Sequence, residues 1–345
     1  MSKLNMYTDT KKALFINNKR VTEYIFDEII ETQNESILYS DTVINIYDKS
    51  TGEKLFEHLF EDECEILRVT TDFFYIEKND KAWLYTTRGK SFSKEPFDDF
   101  CIPENYESLR CIIVNRGNKK GVYSFDGAKL VACEYDSINL CKNAIEAYIK
   151  EKDTIVHVYS LKGLLIFSAI MWEDQWWTTP AGIVKQNPKG KQGLYSLDAK
   201  VILPESYDEI EISDLFEFNK LECIKVKKGD RYGLYDFYGR EILPIEFDGL
   251  WISERIPHSS MDYIMVKKDD KYGIYSSDGT LQVPIEYEYL KSYRKGSTCN
   301  GCKNGAWGYY IIPKKQFVIA DEINITKTGK YEILVNGKWQ MINLI

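Results

Sequence analysis

The sequence predicts an all-β protein, a tandem array of about ten β-meander repeats of ~36 residues each. Three observations carry that expectation. Residues 231–252 read RYGLYDFYGREILPIEFDGLWI and residues 271–290 read KYGIYSSDGTLQVPIEYEYL, so one motif recurs along the chain. A carboxylate follows each of four glycines at one constant distance, in the pairs Gly121–Asp136, Gly193–Asp208, Gly233–Asp248 and Gly273–Glu288. The chain also carries 25 Tyr, 16 Phe and 7 Trp. A phenol suits a half-buried strand, where its ring packs and its hydroxyl stays at water. The array is expected to form an open, curved superhelix or solenoid, because about ten units exceed the roughly four to eight blades usual in a closed propeller, which is the alternative.

Each element of the unit has a physical reason. YIMVKK (263–268) alternates as a strand does, and Asp269-Asp270-Lys271 turns the chain into a second strand, KYGIYS (271–276). Gly273 in that strand suits a bulge or the close approach of a neighbouring aromatic ring. Ser277-Asp278-Gly279 is a turn in which glycine accepts positive φ, as are Phe125-Asp126-Gly127 and Phe237-Tyr238-Gly239. A third short strand, LQV, ends at Pro284, which cannot donate to a ladder and marks an edge or a strand end. IEYEYL then begins a fourth extended piece or a tight corner. No segment reads as a helix.

Trp307-Gly308-Tyr309 supplies a fifth, shortened copy, followed by Pro313 and Asp321. Where the glycine is relaxed, the anchor position falls on Ala13, Asn45, Trp83, His157 and Gln340. Residues 1–110 therefore read as degenerate repeats and 111–345 as the better-formed part of one continuous array. A unit this short cannot bury a core alone, so neighbours stack and the terminal units drift from consensus as caps.

These residues resemble the WG-repeat (KWG-type) family of β repeats, common in bacterial proteins. Its pattern is approximately Gly-Lys-Trp-Gly-Leu-Ile-Asp-x-x-Gly-Lys-x-Ile-Pro-x-x-Tyr-Asp. The Trp-Gly pair stands literally only at Trp307-Gly308; Tyr232-Gly233 and Tyr272-Gly273 are aromatic substitutes. Pro-x-x-Tyr-Asp stands at Pro204–Asp208, with a Phe variant at Pro244–Asp248 and a Glu variant at Pro284–Glu288. The resemblance implies a fold and an interaction role, and no shared catalytic chemistry.

The net charge of −8 argues against nucleic acid as a partner, since phosphate tracking needs a basic face. The N-terminal stretch has no apolar core of a secretion signal, and no apolar run approaches a membrane span, so a cytoplasmic location with reduced thiols at all 8 cysteines is expected. The recurring acids read as corner residues that accept backbone N–H bonds rather than as a catalytic set. Cys299-Asn300-Gly301-Cys302 reads as a polar loop, and one CxxC supplies only two of the roughly four ligands a structural zinc takes; a redox pair would want a βαβ setting. His157 sits in a strand-like segment where packing explains it, and His258 serves no nucleophile elbow. No phosphate-cradling glycine loop is present. The expectation is a non-enzyme without metal or cofactor.

Function is therefore sought where the repetition breaks. Met171–Pro180 holds Trp172, Trp176 and Trp177, a candidate binding surface; the competing account puts Trp172 in the repeat's buried aromatic slot with its neighbours filling a gap. Trp251 is a second candidate. The sequence points to a scaffold for a protein partner, in its specific form a neutraliser or adaptor for a basic protein steered by the acidic surface. Carbohydrate or cell-wall binding through exposed Trp and Tyr is the alternative.

Overall fold

Alternating side chains and tight turns make most repeats a four-stranded antiparallel meander, and the unit around Gly273 shows how. Gly249–Ile252, Tyr263–Lys268, Lys271–Ser276 and Leu281–Tyr287 pair in chain order. Asp269 and Asp270 join the second and third strands with φ of 50° and 60°, the mirror-image turn that matches strand twist. Gly279, at φ 82°, closes the next turn by donating its N–H to the Ser276 carbonyl at 3.0 Å.

The computed structural model describes residues 11–17, 19–23, 25–60, 66–70, 72–103, 109–212, 222–252, 263–292, 298–326 and 330–342. Cys64 and His258 lie outside them. Ten antiparallel sheets follow one another along the described chain, seven of them four-stranded. Helical backbone among the described residues is confined to Leu109 and the short 3-10 segment Ile312–Lys314. Among the described residues no helix is long and apolar enough to cross a membrane.

The chain divides into two compact units, Met1–Met171 and Trp172–Ile345. Within the first, apolar residues of consecutive sheets meet face to face: Ile44 and Ile46 with Phe74 and Ile76, then Phe73 and Leu84 with Ile112 and Val114, then Val122 and Tyr135 with Ile145 and Ala147. In the second, Leu194 and Leu203 meet Ile224 and Val226, Leu234 and Phe247 meet Ile264 and Val266, and Ile274 and Tyr287 meet Cys299 and Tyr310. Full burial of each Val, Leu, Ile or Phe among them stabilises by about 1.5–3 kcal/mol.

Nine of the ten anchor positions fall on the third strand of their sheet, Asn45 opposite Leu38, Trp83 opposite Ile76, Gly233 opposite Val226 and Gln340 opposite Ile333 among them. Ala13 is buried but precedes the first strand. The glycine itself answers to a bulge. Tyr272 pairs with Tyr287 and Ile274 with Val283, so Gly273 alone faces Pro284-Ile285-Glu286. Gly121, Gly193 and Gly233 stand at the same register shift. A Cβ at Gly273 would meet Ile285 Cγ1 at 2.6 Å. The close approach therefore comes from the fourth strand, not from an aromatic ring. Pro284 likewise lies inside the strand Leu281–Tyr287 rather than at its end; the bulge on an edge strand excuses its missing N–H.

Candidate binding surface

Four pairs of consecutive sheets join through a single residue, the recurring acid Asp136, Asp208, Asp248 or Glu288. Asp208 lies between Val201–Tyr207 and Glu209–Ile212, and Asp248 between Glu241–Phe247 and Gly249–Ile252. Each acid donates its own N–H to the next sheet, Asp208 to the Lys227 carbonyl at 2.9 Å and Asp248 to that of Lys267 at 2.8 Å. Its carboxylate then ties two sheets together. One oxygen pairs with a cation at the start of the third strand of its own sheet or, for Lys191, directly before it: Lys81 with Asp98, Lys119 with Asp136, Lys191 with Asp208, Arg231 with Asp248 and Lys271 with Glu288. The other accepts a turn N–H from the next sheet, at 2.7 Å from Gly229 to Asp208 and from Asp269 to Asp248. The lysine bond first, and the backbone N–H second, hold the carboxyls of Asp98, Asp136 and Asp208 below their ordinary range. These are fold residues, like the anchor glycines Gly121, Gly193, Gly233, Gly273 and Gly308.

The corner breaks once in a way that exposes an aromatic. Trp172 stands at the acid's position relative to His157, and the chain makes a turn through Met171–Asp174 instead of a one-residue corner. Trp172 has φ 75° and is 88% exposed, so it does not fill the buried aromatic slot. Strand alternation then separates its neighbours. Trp176 pairs with Lys185 and Trp177 with Val184. Trp177 is 40% exposed.

Trp251 occupies the matching place two sheets on. Both tryptophans are the third residue of a first strand; Trp177 faces Val184 and then Leu194, and Trp251 faces Met265 and then Ile274. Trp251 is 45% exposed and lies over Gly249, where any Cβ would overlap its ring. Its centroid is 6.1 Å from that of Tyr272. Glycine at 249 thus clears the space that the indole occupies.

Beside Trp176 an ionic network replaces the apolar pair of the repeat. Lys185 stands where Val226 and Val266 stand in the following sheets, and Glu205 where Ile245 and Ile285 stand. Lys185 Nζ lies 3.4 Å from Asp174 and 3.1 Å from Glu205, and the Tyr195 hydroxyl donates to Glu205 at 2.6 Å. Burial works against the charged form of Glu205, but the bonds from Tyr195 and Lys185 outweigh it and hold the carboxyl below its usual range. Burial, then the bond to Glu205, pushes the Tyr195 hydroxyl up. The network ties the turn before the first strand to the second and fourth strands. Nothing in the sequence taken alone aligns Lys185 with Val226, because the intervening turns differ in length.

Cys299 and Cys302 do not lie in a loop. They belong to the strand Thr298–Lys303, opposite Tyr310 and Trp307, and both are buried. Three positions apart on a strand, they point to opposite faces and cannot share a metal or close a disulfide. Burial pushes the Cys299 thiol up to about 12. His157 is packed in its strand, its Nδ1 2.9 Å from the Tyr135 hydroxyl. Among the described residues no group of three or more His, Cys, Asp or Glu side chains is placed to hold a metal.

No protein-family model matches this chain, and no curated protein does. Solved structures similar to it include one described as the eukaryotic initiation factor, at 12% identity over 83% of this chain and 85% of that one, with a TM-score of 0.24. BamB from Moraxella catarrhalis is similar at 10% identity over 80% and 93%, with a TM-score of 0.20. BBS1N, crystallised in complex with ARL6DN, is similar at 11% identity over 81% and 87%, with a TM-score of 0.21. Likeness at this level carries no argument about function.

Proposed function

We propose that this chain is a non-enzymatic scaffold that binds a protein partner through aromatic side chains on the first strands of its Trp172–Ile345 unit. One observation carries the reading: Trp177 and Trp251, 40% and 45% exposed, occupy the same position of the first strand in two sheets of that unit. Large rigid aromatics half-exposed on a fixed backbone cost little side-chain entropy on binding and anchor interfaces. The excess of 53 acidic over 45 basic residues favours a basic partner. Affinity that falls as salt rises supports the electrostatic part, and affinity indifferent to ionic strength removes it.

A glycan is the second reading, and the half-exposed Trp251 ring beside Gly249 favours it, because an exposed indole on a fixed backbone can stack on a sugar ring. Titration of the wild-type chain and Trp251→Ala with soluble cell-wall glycans, read by indole emission, separates the two. A saturable shift lost in Trp251→Ala supports the glycan; no shift with any glycan leaves the protein partner.

A further inference from the structure

One buried charge breaks the pattern of the Met1–Met171 unit. In three of its sheets the first residue of the second strand is uncharged and faces the last residue of the third: Phe73 opposite Thr86, Cys111 opposite Ser124 and Ala144 opposite Ser160. Phe73, Cys111 and Ala144 are all buried. In the sheet of residues 28–59 the same place holds Glu35, opposite Asp48. Glu35 is 5% exposed. The meander forms without a charge at this position in the other sheets, so the fold does not call for Glu35. A carboxylate placed there costs stability unless it is fully paired.

The pairing of Glu35 is incomplete. The Thr32 hydroxyl donates to Oε2 at 2.7 Å. Oε1 accepts no hydrogen bond among the described residues; it faces the Arg88 guanidinium, 3.7 Å away, which reaches over from the turn after Lys81–Thr86. The same guanidinium lies 3.9 Å from Asp48 Oδ2. Both separations are too long for a hydrogen bond, and the Arg88 side chain is 65% exposed. Asp48 spends its other oxygen on its own turn, where Oδ1 accepts the N–H groups of Ser50 at 2.9 Å and Thr51 at 3.0 Å. Glu35, Asp48 and Arg88 line a cavity of about 610 Å³. Lys49, also on its wall, is paired with Glu31 at 2.7 Å. Beneath Arg88, therefore, the cavity offers two carboxylate oxygens, and the chain's own cation covers both without bonding to either. Two fixed carboxylate oxygens suit the planar donor fork of a guanidinium better than the point charge of an ammonium.

We propose that this cavity binds a guanidinium group brought by a ligand, and that Arg88 is a tethered stand-in that swings toward solvent when the incoming group bonds to Glu35 Oε1 and Asp48 Oδ2. The site lies in the Met1–Met171 unit and does not rest on the role of Trp177 and Trp251. Calorimetric titration of the full-length protein tests it with two probes, free arginine and the uncharged-ended peptide acetyl-Gly-Gly-Arg-Gly-Gly-amide. Saturable binding of at least one is expected. Binding of the peptide alone assigns the group to a polypeptide, and binding of free arginine assigns it to a small molecule. Free lysine and the lysine peptide should bind at least about tenfold more weakly. Glu35→Gln and Asp48→Asn each keep the oxygen that the chain already uses and replace the open one by an amide, so each should weaken binding at least about tenfold. Arg88→Ala removes the competitor and should tighten binding roughly two- to fivefold, the worth of an exposed ion pair. The proposal is overturned if neither probe saturates, or if the lysine versions bind as well. It is also overturned if Glu35→Gln leaves binding intact, with Asp48→Asn deciding should that variant not fold, or if Arg88→Ala fails to tighten it.

Discussion

Replacing Gly121 by alanine isolates the reason for the repeat's most regular residue. Gly121 does not have positive φ, so alanine meets no backbone strain, and by propensity alone the change would stabilise a strand interior by roughly 0.5–1 kcal/mol. The added Cβ, however, would lie 2.8 Å from the Val131 carbonyl oxygen and 2.9 Å from the Cys133 nitrogen. Both are backbone atoms of the bulged fourth strand, so no side-chain rotation relieves the overlap. Overpacking of this kind costs about 1–3 kcal/mol, which leaves a net loss centred on about 1 kcal/mol, and up to about 2.5, after the propensity gain. The assay is urea unfolding followed by tyrosine and tryptophan emission, read as a midpoint shift at constant slope. Gln340→Ala is the control: the same position in an unbulged, exposed strand, with an expected change within about 0.5 kcal/mol. A Gly121→Ala chain as stable as wild type, at unchanged slope, would refute the bulge account.

Lys185→Ala should destabilise by up to about 3–5 kcal/mol, since it removes the cation shared by two largely buried carboxylates. The triple change Asp174→Asn, Lys185→Val, Glu205→Ile, which restores the repeat's apolar pair, should be near neutral or stabilising by the same denaturation measurement. The corner carboxyls of Asp98, Asp136, Asp208 and Glu288 are held low in the folded state. Their contribution is therefore complete above the ordinary carboxyl value of about 4 and is lost as pH falls through their lowered values. Thermal midpoints should be flat above about pH 5 on this account and fall below about pH 4, with Asp208→Asn shallowing the acid limb; a midpoint that rises on acidification would contradict it. Cys299 should resist thiol reagents at neutral pH until the chain is unfolded, because it is buried and its thiolate is disfavoured; rapid labelling of the folded chain would show the strand Thr298–Lys303 to be misplaced.

Much of the fold was legible because the repeat writes its corners in residues of narrow tolerance. Gly121, Gly193, Gly233 and Gly273 mark bulges, and Asp136, Asp208 and Asp248 mark corners, so spacing alone recovered the meander and its count. Even His157 and Trp83, which share no chemistry with glycine, fell on the same strand, because their sheets carry no bulge opposite the anchor. TCNGCK was misread as a loop: glycine and asparagine carry little strand propensity, and pairing on both sides overrides it. The separation of Trp176 from Trp177, and the match of Trp177 with Trp251, depend on strand register, which turn geometry decides and composition does not. The ionic network around Lys185 was hidden for the same reason.

The most direct test of the scaffold reading is a comparison of cross-linked partners captured in the native host by the wild-type chain and by Trp177→Ala/Trp251→Ala. The account predicts one predominant protein, cross-linked to residues flanking Trp177 and Trp251, that is lost from the double variant while its unfolding midpoint stays that of the wild type. Capture of the same protein in equal amount by the variant, or cross-links confined to surfaces away from both tryptophans, would contradict it.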